Sequence, residues 1–168
     1  MPTLYIFSGL PGSGKTRLSQ ALARHLPAVH LRIDTIEQAL RDLCGIDVEG
    51  EGYRLAYRVA ADNLRLGFDV IVDSCNPIRL TRDEYEDVAR SAGADFRNIE
   101  VVCSDEDEHR RRVESRDSDI PGLKLPSWED VRRREFHPWH KERIVVDTAA
   151  KTADESLAEL VAALAESK

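Results

Sequence analysis

The run Gly9-Leu10-Pro11-Gly12-Ser13-Gly14-Lys15-Thr16 has the composition and spacing of a polyphosphate cradle. It fits G-x-x-x-x-G-K-[ST], in which a flexible loop turns backbone N–H groups toward phosphate oxygens. Lys15 is placed to meet the β- and γ-phosphates, and the Thr16 hydroxyl to ligate Mg²⁺. Gly9, Pro11, Gly12, Ser13 and Gly14 form the cradle itself. With glycine at about 7% of residues, the bare pattern arises by chance in roughly one chain in a hundred or fewer. Its context lowers that further. Leu4-Tyr5-Ile6-Phe7-Ser8 reads as a buried parallel strand, and Leu18, Leu22 and Leu26 recur behind the loop at helical spacing. A loop between strand and helix sets the helix dipole behind a bound anion. The chemistry implied is binding of a nucleoside triphosphate, ATP, with Mg²⁺.

Two carboxylates follow strands, where open parallel sheets collect their ligands. Asp73 ends the run Val70-Ile71-Val72, the Walker B position, and is expected to hold Mg²⁺; the alternative is an Asx turn. Asp34 follows Val29 to Ile33 and has two readings, a base for an incoming hydroxyl or an N-cap for the next helix. After Asp73 comes Ser74-Cys75-Asn76-Pro77 rather than the acidic pair that many hydrolysing P-loop proteins use. That favours transfer to an acceptor over hydrolysis. Asn76 is a candidate substrate contact, or simply the residue of a turn before Pro77.

The segment His109 to Arg116 is rich in arginine. Asp107 with Arg111 and Glu108 with Arg112 make i,i+4 pairs, as on any solvated helix. Arg112 and Arg116 share one face next to an irregular stretch, 117–126. They are the candidates for a mobile lid that supplies positive charge during transfer. Asp147-Thr148-Ala149 follows the last strand and is expected near the adenine base. His137, Trp139 and His140 lack metal-ligand spacing and read as core packing or a hinge.

These residues need a scaffold, and strand and helix signals alternate along the chain without repeat or linker. Strands are expected at 4–8, 29–33, 69–73, 99–103 and 143–147. Helices are expected behind the loop and at 36–44, 53–66, 80–92, 105–116 and 127–136, with a last one including 157–164. Leu55, Val59 and Leu66 are among the apolar positions of the helix expected at 53–66. Gly45 to Gly52 is a loop with three glycines, Gly93 a helix-ending glycine, and Ser127 to Asp130 a capping box. The expected fold is α/β: a P-loop NTPase domain spanning 1–168, with a five-stranded parallel sheet covered on both faces.

At 168 residues the chain suffices for one such domain. Its 42% hydrophobic and 33% charged residues include no run near the roughly 20 apolar residues of a membrane span. Met1-Pro2-Thr3 leads straight into the first strand, so no signal peptide is expected. Cys44, Cys75 and Cys103 suggest neither zinc site nor disulfide framework, and the expected location is cytoplasmic. A net charge of −7 argues against long nucleic acid as a partner.

With these residues in place, the chain resembles the small P-loop kinases of the predicted-kinase group. Its relatives there include polynucleotide kinase, chloramphenicol phosphotransferase, zeta toxins, and the gluconate and adenylylsulfate kinases. The resemblance rests on Gly9–Thr16, Arg32-Ile33-Asp34, Val72-Asp73, the Arg112 and Arg116 pair, and Val146-Asp147-Thr148. It implies a nucleotide-kinase-like fold with a short arginine-bearing lid. It also implies Asp34 as the carboxylate on the acceptor hydroxyl and Arg116, with Arg112, as the lid arginines. Polynucleotide-kinase-like members carry an arginine three residues after that aspartate, where this chain has Glu37. A carboxylate there repels an acceptor phosphate and suits a neutral or amine-bearing one. The expectation is an ATP- and Mg²⁺-dependent kinase acting on a small-molecule hydroxyl. Its rivals are a polynucleotide 5′-hydroxyl kinase and a nucleotide-dependent switch without an acceptor.

Overall fold

The computed structural model describes residues 1–166. In chain order the elements are β1 (Thr3–Ser8), α1 (Lys15–His25), β2 (Val29–Arg32), α2 (Ile33–Cys44), α3 (Glu51–Arg65) and β3 (Val70–Asp73). They continue with α4 (Arg79–Ser91), β4 (Asp95–Val102), α5 (Glu106–Ser115), α6 (Trp128–Arg133), β5 (Ile144–Asp147) and α7 (Ala153–Glu166). The sheet has the order β2-β3-β1-β4-β5, and every pairing is parallel. β1 is central, with Phe7 level with Asp73 of β3, so the Gly9 loop and Asp73 leave the sheet side by side.

Successive strand residues point to opposite faces, and both faces are buried. Leu4, Ile6, Val70 and Val72 pack with Ala60 and Leu64 of α3 and with Tyr85 and Ala89 of α4. Phe7, Ile71, Ile99, Val101 and Val146 pack with Leu18 and Leu22 of α1 and Leu160 of α7. Truncating a fully buried leucine such as Leu22 to alanine costs about 2–5 kcal/mol. No helix among the described residues is long and apolar enough to cross a membrane.

Several boundaries differ from those expected. β2 stops at Arg32, which takes the N-cap position of α2 at φ −104°, so Ile33 belongs to the helix. β4 starts at Asp95, because the Asp95 amide bonds Pro2 O (2.9 Å) and β1 pairs with it along its whole length. α6 keeps its capping box, with Ser127 bonded to the Asp130 amide and Asp130 to the Ser127 amide, but ends at Arg133. The three apolar positions singled out on α3 and its C-cap do not face the sheet. Leu55, Val59 and Leu66 are 39%, 43% and 73% exposed, while Ala56, Ala60, Ala61 and Leu64 are buried. Small residues let that helix approach the strands closely, and Tyr53 and Tyr57 fill the flank.

Candidate active site

The phosphate cradle needs glycine at two crowded points. Gly9 (φ 151°) would set a Cβ 2.4 Å from Val101 O, and Gly12 (φ 82°) would set one 2.5 Å from the Val113 Cγ2 of α5. The loop carbonyls are taken up by the protein. Ser13 N donates to Leu10 O (3.2 Å), the His109 ring meets Pro11 O (2.8 Å), and Thr148 Oγ1 donates to Ser13 O (2.6 Å). Gly9 N donates to Cys75 O (3.1 Å), tying the loop to the turn after β3. The first N–H groups of α1 have no intrahelical acceptor, as at every helix start. Ser13 Oγ is buried without a partner. A cradle with its Leu10, Pro11 and Ser13 carbonyls occupied, and with the first α1 N–H groups and the Ser13 hydroxyl in reserve, suits a polyphosphate.

Asp73 is the second element. Lys15 Nζ lies 3.4 Å from its Oδ1, with the side chains 11% and 2% exposed, yet neither Asp73 oxygen accepts a hydrogen bond. This removes the Asx-turn reading, which requires one. A buried carboxylate without donors is stable only beside positive charge. Together with Thr16, in the first turn of α1, it fits a hard, oxygen-seeking cation such as Mg²⁺.

The turn after Asp73 is held by Asn76, which is fully buried at φ 48°. Its amide donates to Tyr53 OH (3.0 Å) and its Nδ2 to Ser8 Oγ (3.0 Å), while Thr81 Oγ1 donates to its Oδ1 (2.6 Å). The expected substrate contact at Asn76 is therefore corrected: its side chain is spent on the turn.

On the other side of the crevice, Asp34 is exposed in the first turn of α2 and caps nothing, since Arg32 occupies the cap. Arg116 ends α5 half-buried, and its Nε has no partner. Burial pushes its guanidinium down, the Asp34 charge pushes it back up, and Arg134 opposes. The charges felt at Arg116 are thus those of Asp34 and Arg134. Arg32 Nη1 holds Asp119 at 2.8 Å; that bond is the main cause raising its guanidinium, with smaller contributions from the Asp73 and Asp34 charges.

Glu37 lies in the same crevice. It packs against α3, where a Cβ on Gly52 would fall 2.4 Å from its Cγ, and it pairs with Arg41 at 3.5 Å. Burial pushes its carboxyl up, Arg41 pulls it down, Asp34 raises it and Arg134 lowers it. With two arginines answering it, Glu37 does not by itself set the acceptor's charge.

Arg112 does not join Arg116. Its Nη1 donates to Thr148 Oγ1 (2.8 Å), and its Nη2 to Thr148 O (2.9 Å) and Glu108 Oε1 (2.5 Å). α5 has ended before Arg116, whose backbone is extended, so the two no longer share a helical face. Asp147 and Thr148 are also engaged within the protein. Asp147 accepts from the Ser104 and Ala149 amides (3.0 Å each), and Thr148 ties β5 to the loop. For Asp147, burial raises the carboxyl, but the bonds from Ser104 and the Ala149 amide outweigh it and the net shift is down. The sequence reading missed His109, which grips Pro11 O and meets Trp128 edge-on at 5.1 Å, and Arg134. His109 stood in an arginine-rich helix with nothing local to mark it.

A Walker A loop on the central strand and a buried Walker B carboxylate on its neighbour, in the strand order above, define a P-loop protein of the small-kinase architecture. The chain belongs to the AAA domain family (AAA_33), whose model matches residues 4–138. No curated protein sequence matches it. Its fold is similar to that of a gluconokinase from Sinorhizobium meliloti 1021 (TM-score 0.70, 20% identity, 98% of this chain and 93% of that one). It is also similar to the Mycobacterium tuberculosis APS kinase CysC in complex with AMPPNP and APS (0.68, 22%, 97% of each chain). A third likeness is to Chaetomium thermophilum Kti12 in complex with ADP-AlF3 (0.68, 21%, 95% and 98%).

Proposed function

We propose that the protein is an ATP- and Mg²⁺-dependent kinase that moves the γ-phosphoryl group of ATP to a hydroxyl of a small molecule. The observation that carries this reading is a half-buried, incompletely bonded Arg116 that feels the charge of the exposed Asp34, in the same domain as the buried Lys15–Asp73 pair. The acidic pair that many hydrolysing P-loop proteins carry is missing after Asp73, whereas an acceptor hydroxyl must lose a proton and Asp34 has no capping role to keep it from taking one. In this reading the loop amides and Lys15 bind the β- and γ-phosphates. Thr16 and Asp73 would hold Mg²⁺, which would neutralise charge on those oxygens. Asp34 accepts the hydroxyl proton as the new O–P bond forms and the bond to the β-phosphate breaks. Arg116 offsets the charge that develops on the transferring group. Arg112, Asp147 and Thr148 serve one step back, by keeping the loop and the β5 end in place. The net charge of −7 and the absence of an arginine at Glu37 favour a small acceptor over a polynucleotide.

A screen of hydroxyl compounds with γ-labelled ATP tests this. Label should pass to at least one of them, and Asp34→Asn should lower transfer about a hundredfold while ATP still binds. Efficient labelling of a 5′-hydroxyl oligonucleotide would replace the small-molecule reading. Tight nucleotide binding without any transfer would favour the switch.

A further inference from the structure

Arg82, in the first turn of α4, is 3% exposed, and its guanidinium donates only to backbone carbonyls. Nε reaches Asn76 O at 3.0 Å, Nη2 reaches Pro77 O at 3.1 Å, and Nη1 reaches His137 O at 2.9 Å. Its face lies 4.0 Å from the Trp139 ring centroid and 4.8 Å from that of Phe136. A planar fork of donors between two rings is a task that lysine cannot perform.

The carbonyls belong to two different parts of the site. Asn76 and Pro77 form the turn that leaves β3 after Asp73, and Asn76 is the left-handed residue whose polar groups are all engaged. His137 lies in the segment that leaves α6 and carries Arg134 at its start. Two further bonds fasten the same joint: His137 N donates to Pro77 O (2.8 Å), and the Arg79 amide at the start of α4 donates to His137 Nδ1 (3.1 Å). Beyond it, Lys141 bonds Asp83 (2.6 Å) and Glu86 (2.7 Å), so the segment stays on α4. The opposite root of the lid is held separately, through His109 on Pro11 and Arg112 on Thr148. The Asp73 turn and the Arg134 root therefore meet at one side chain.

We infer that Arg82 is a positioning residue for phosphotransfer, gripping the turn after Asp73 and the root of Arg134 together so that the two sides of the crevice keep one spacing. This rests on the kinase reading for its catalytic consequence, but the mechanical coupling can be measured without turnover.

The test uses the full chain with Arg82→Lys, and with Trp139→Leu, which keeps the three carbonyl bonds and removes one ring. Amide hydrogen exchange is followed with and without AMPPNP and Mg²⁺. In Arg82→Lys the His137 and Arg79 amides should exchange about tenfold faster or more, while the β1 amides are unchanged. In the wild type, AMPPNP with Mg²⁺ should slow exchange in 134–139, and Arg82→Lys should lose that response. AMPPNP affinity should stay within about threefold, whereas transfer at saturating ATP should fall about tenfold or more. Trp139→Leu should shift exchange and transfer in the same direction by less. Equal nucleotide protection in wild type and Arg82→Lys would overturn the inference, as would β1 amides accelerating in step with His137, which marks a general core role. Full transfer despite a loosened root would overturn it as well. If the wild type transfers phosphate to nothing, the kinase reading fails, and the exchange pattern still decides the coupling.

Discussion

Around Gly9–Thr16 the polar groups of the protein are mostly matched to one another, whereas around Asp34 they are mostly held in reserve. The loop carbonyls accept from Ser13, His109 and Thr148, and the loop is clamped from β3, α5 and the end of β5 at once. Across the crevice, Asp34 is exposed, Arg116 has an unpartnered Nε, and Arg134 stands exposed beside it. On the kinase reading proposed above, the difference follows from the ligands. Every nucleoside triphosphate presents the same phosphates, so a cradle set in advance loses no reorganisation energy when they arrive. An acceptor must enter and leave, so the groups that touch it cannot be committed to the protein beforehand.

Breaking the clamped side should cost most. Lys15→Ala removes the charge on the β- and γ-phosphates and takes away the ion-pair partner of the buried Asp73. Transfer should fall about a hundredfold or more, about 3 kcal/mol of barrier, with weakened ATP binding in a direct titration. Near-normal turnover would show that the loop is not the catalytic phosphate site.

Asp34→Asn attacks the reserved side with almost no structural cost, because Asp34 does not cap α2. We expect kcat to drop about a hundredfold while ATP affinity and melting temperature stay near wild type. Stability falling together with activity would return Asp34 to a structural role.

Arg116→Ala sharpens the same side. Its charge acts mainly during transfer, so kcat should fall about tenfold with a smaller change in ATP binding. Alanine at Arg110, which only pairs with exposed Glu114, should be nearly silent. Equal losses from both would show that charge in this region acts without regard to position.

The smallest effect concerns Glu37. Its folded carboxyl sits above the ordinary glutamate value, chiefly through burial, so the folded state holds that proton more tightly than the unfolded chain does. The contribution is therefore most favourable below the unfolded value and declines as pH rises through the folded one. Glu37→Gln should gain melting temperature relative to wild type between about pH 4 and about pH 8. A constant gap across that range would remove burial as the cause.

The phosphate cradle, the strand before it, the helix behind it and the acid at the end of β3 were legible in the residues alone. Each is encoded within a short window: glycines where φ is positive, a continuous apolar run where both sheet faces are buried, leucines at helical spacing. The order of strands and helices followed in the same way, with boundaries off by a few residues where long-range pairing decided them, as at Asp95. Other features depended on the folded chain. Leu55 and Val59 are as apolar as Leu64, yet only the packing of α3 on the sheet left them outside. Arg112 and Arg116 sit four positions apart in one charged run, but α5 ends between them, leaving one bonded to Thr148 and the other half-buried where it feels the Asp34 charge. Arg134 and Arg82 carried no local signal, because an arginine's role is set by what lies at the far end of a long side chain. The bonds of Arg82 to Asn76, Pro77 and His137 join stretches that are distant along the chain, and only tertiary packing brings them to one guanidinium.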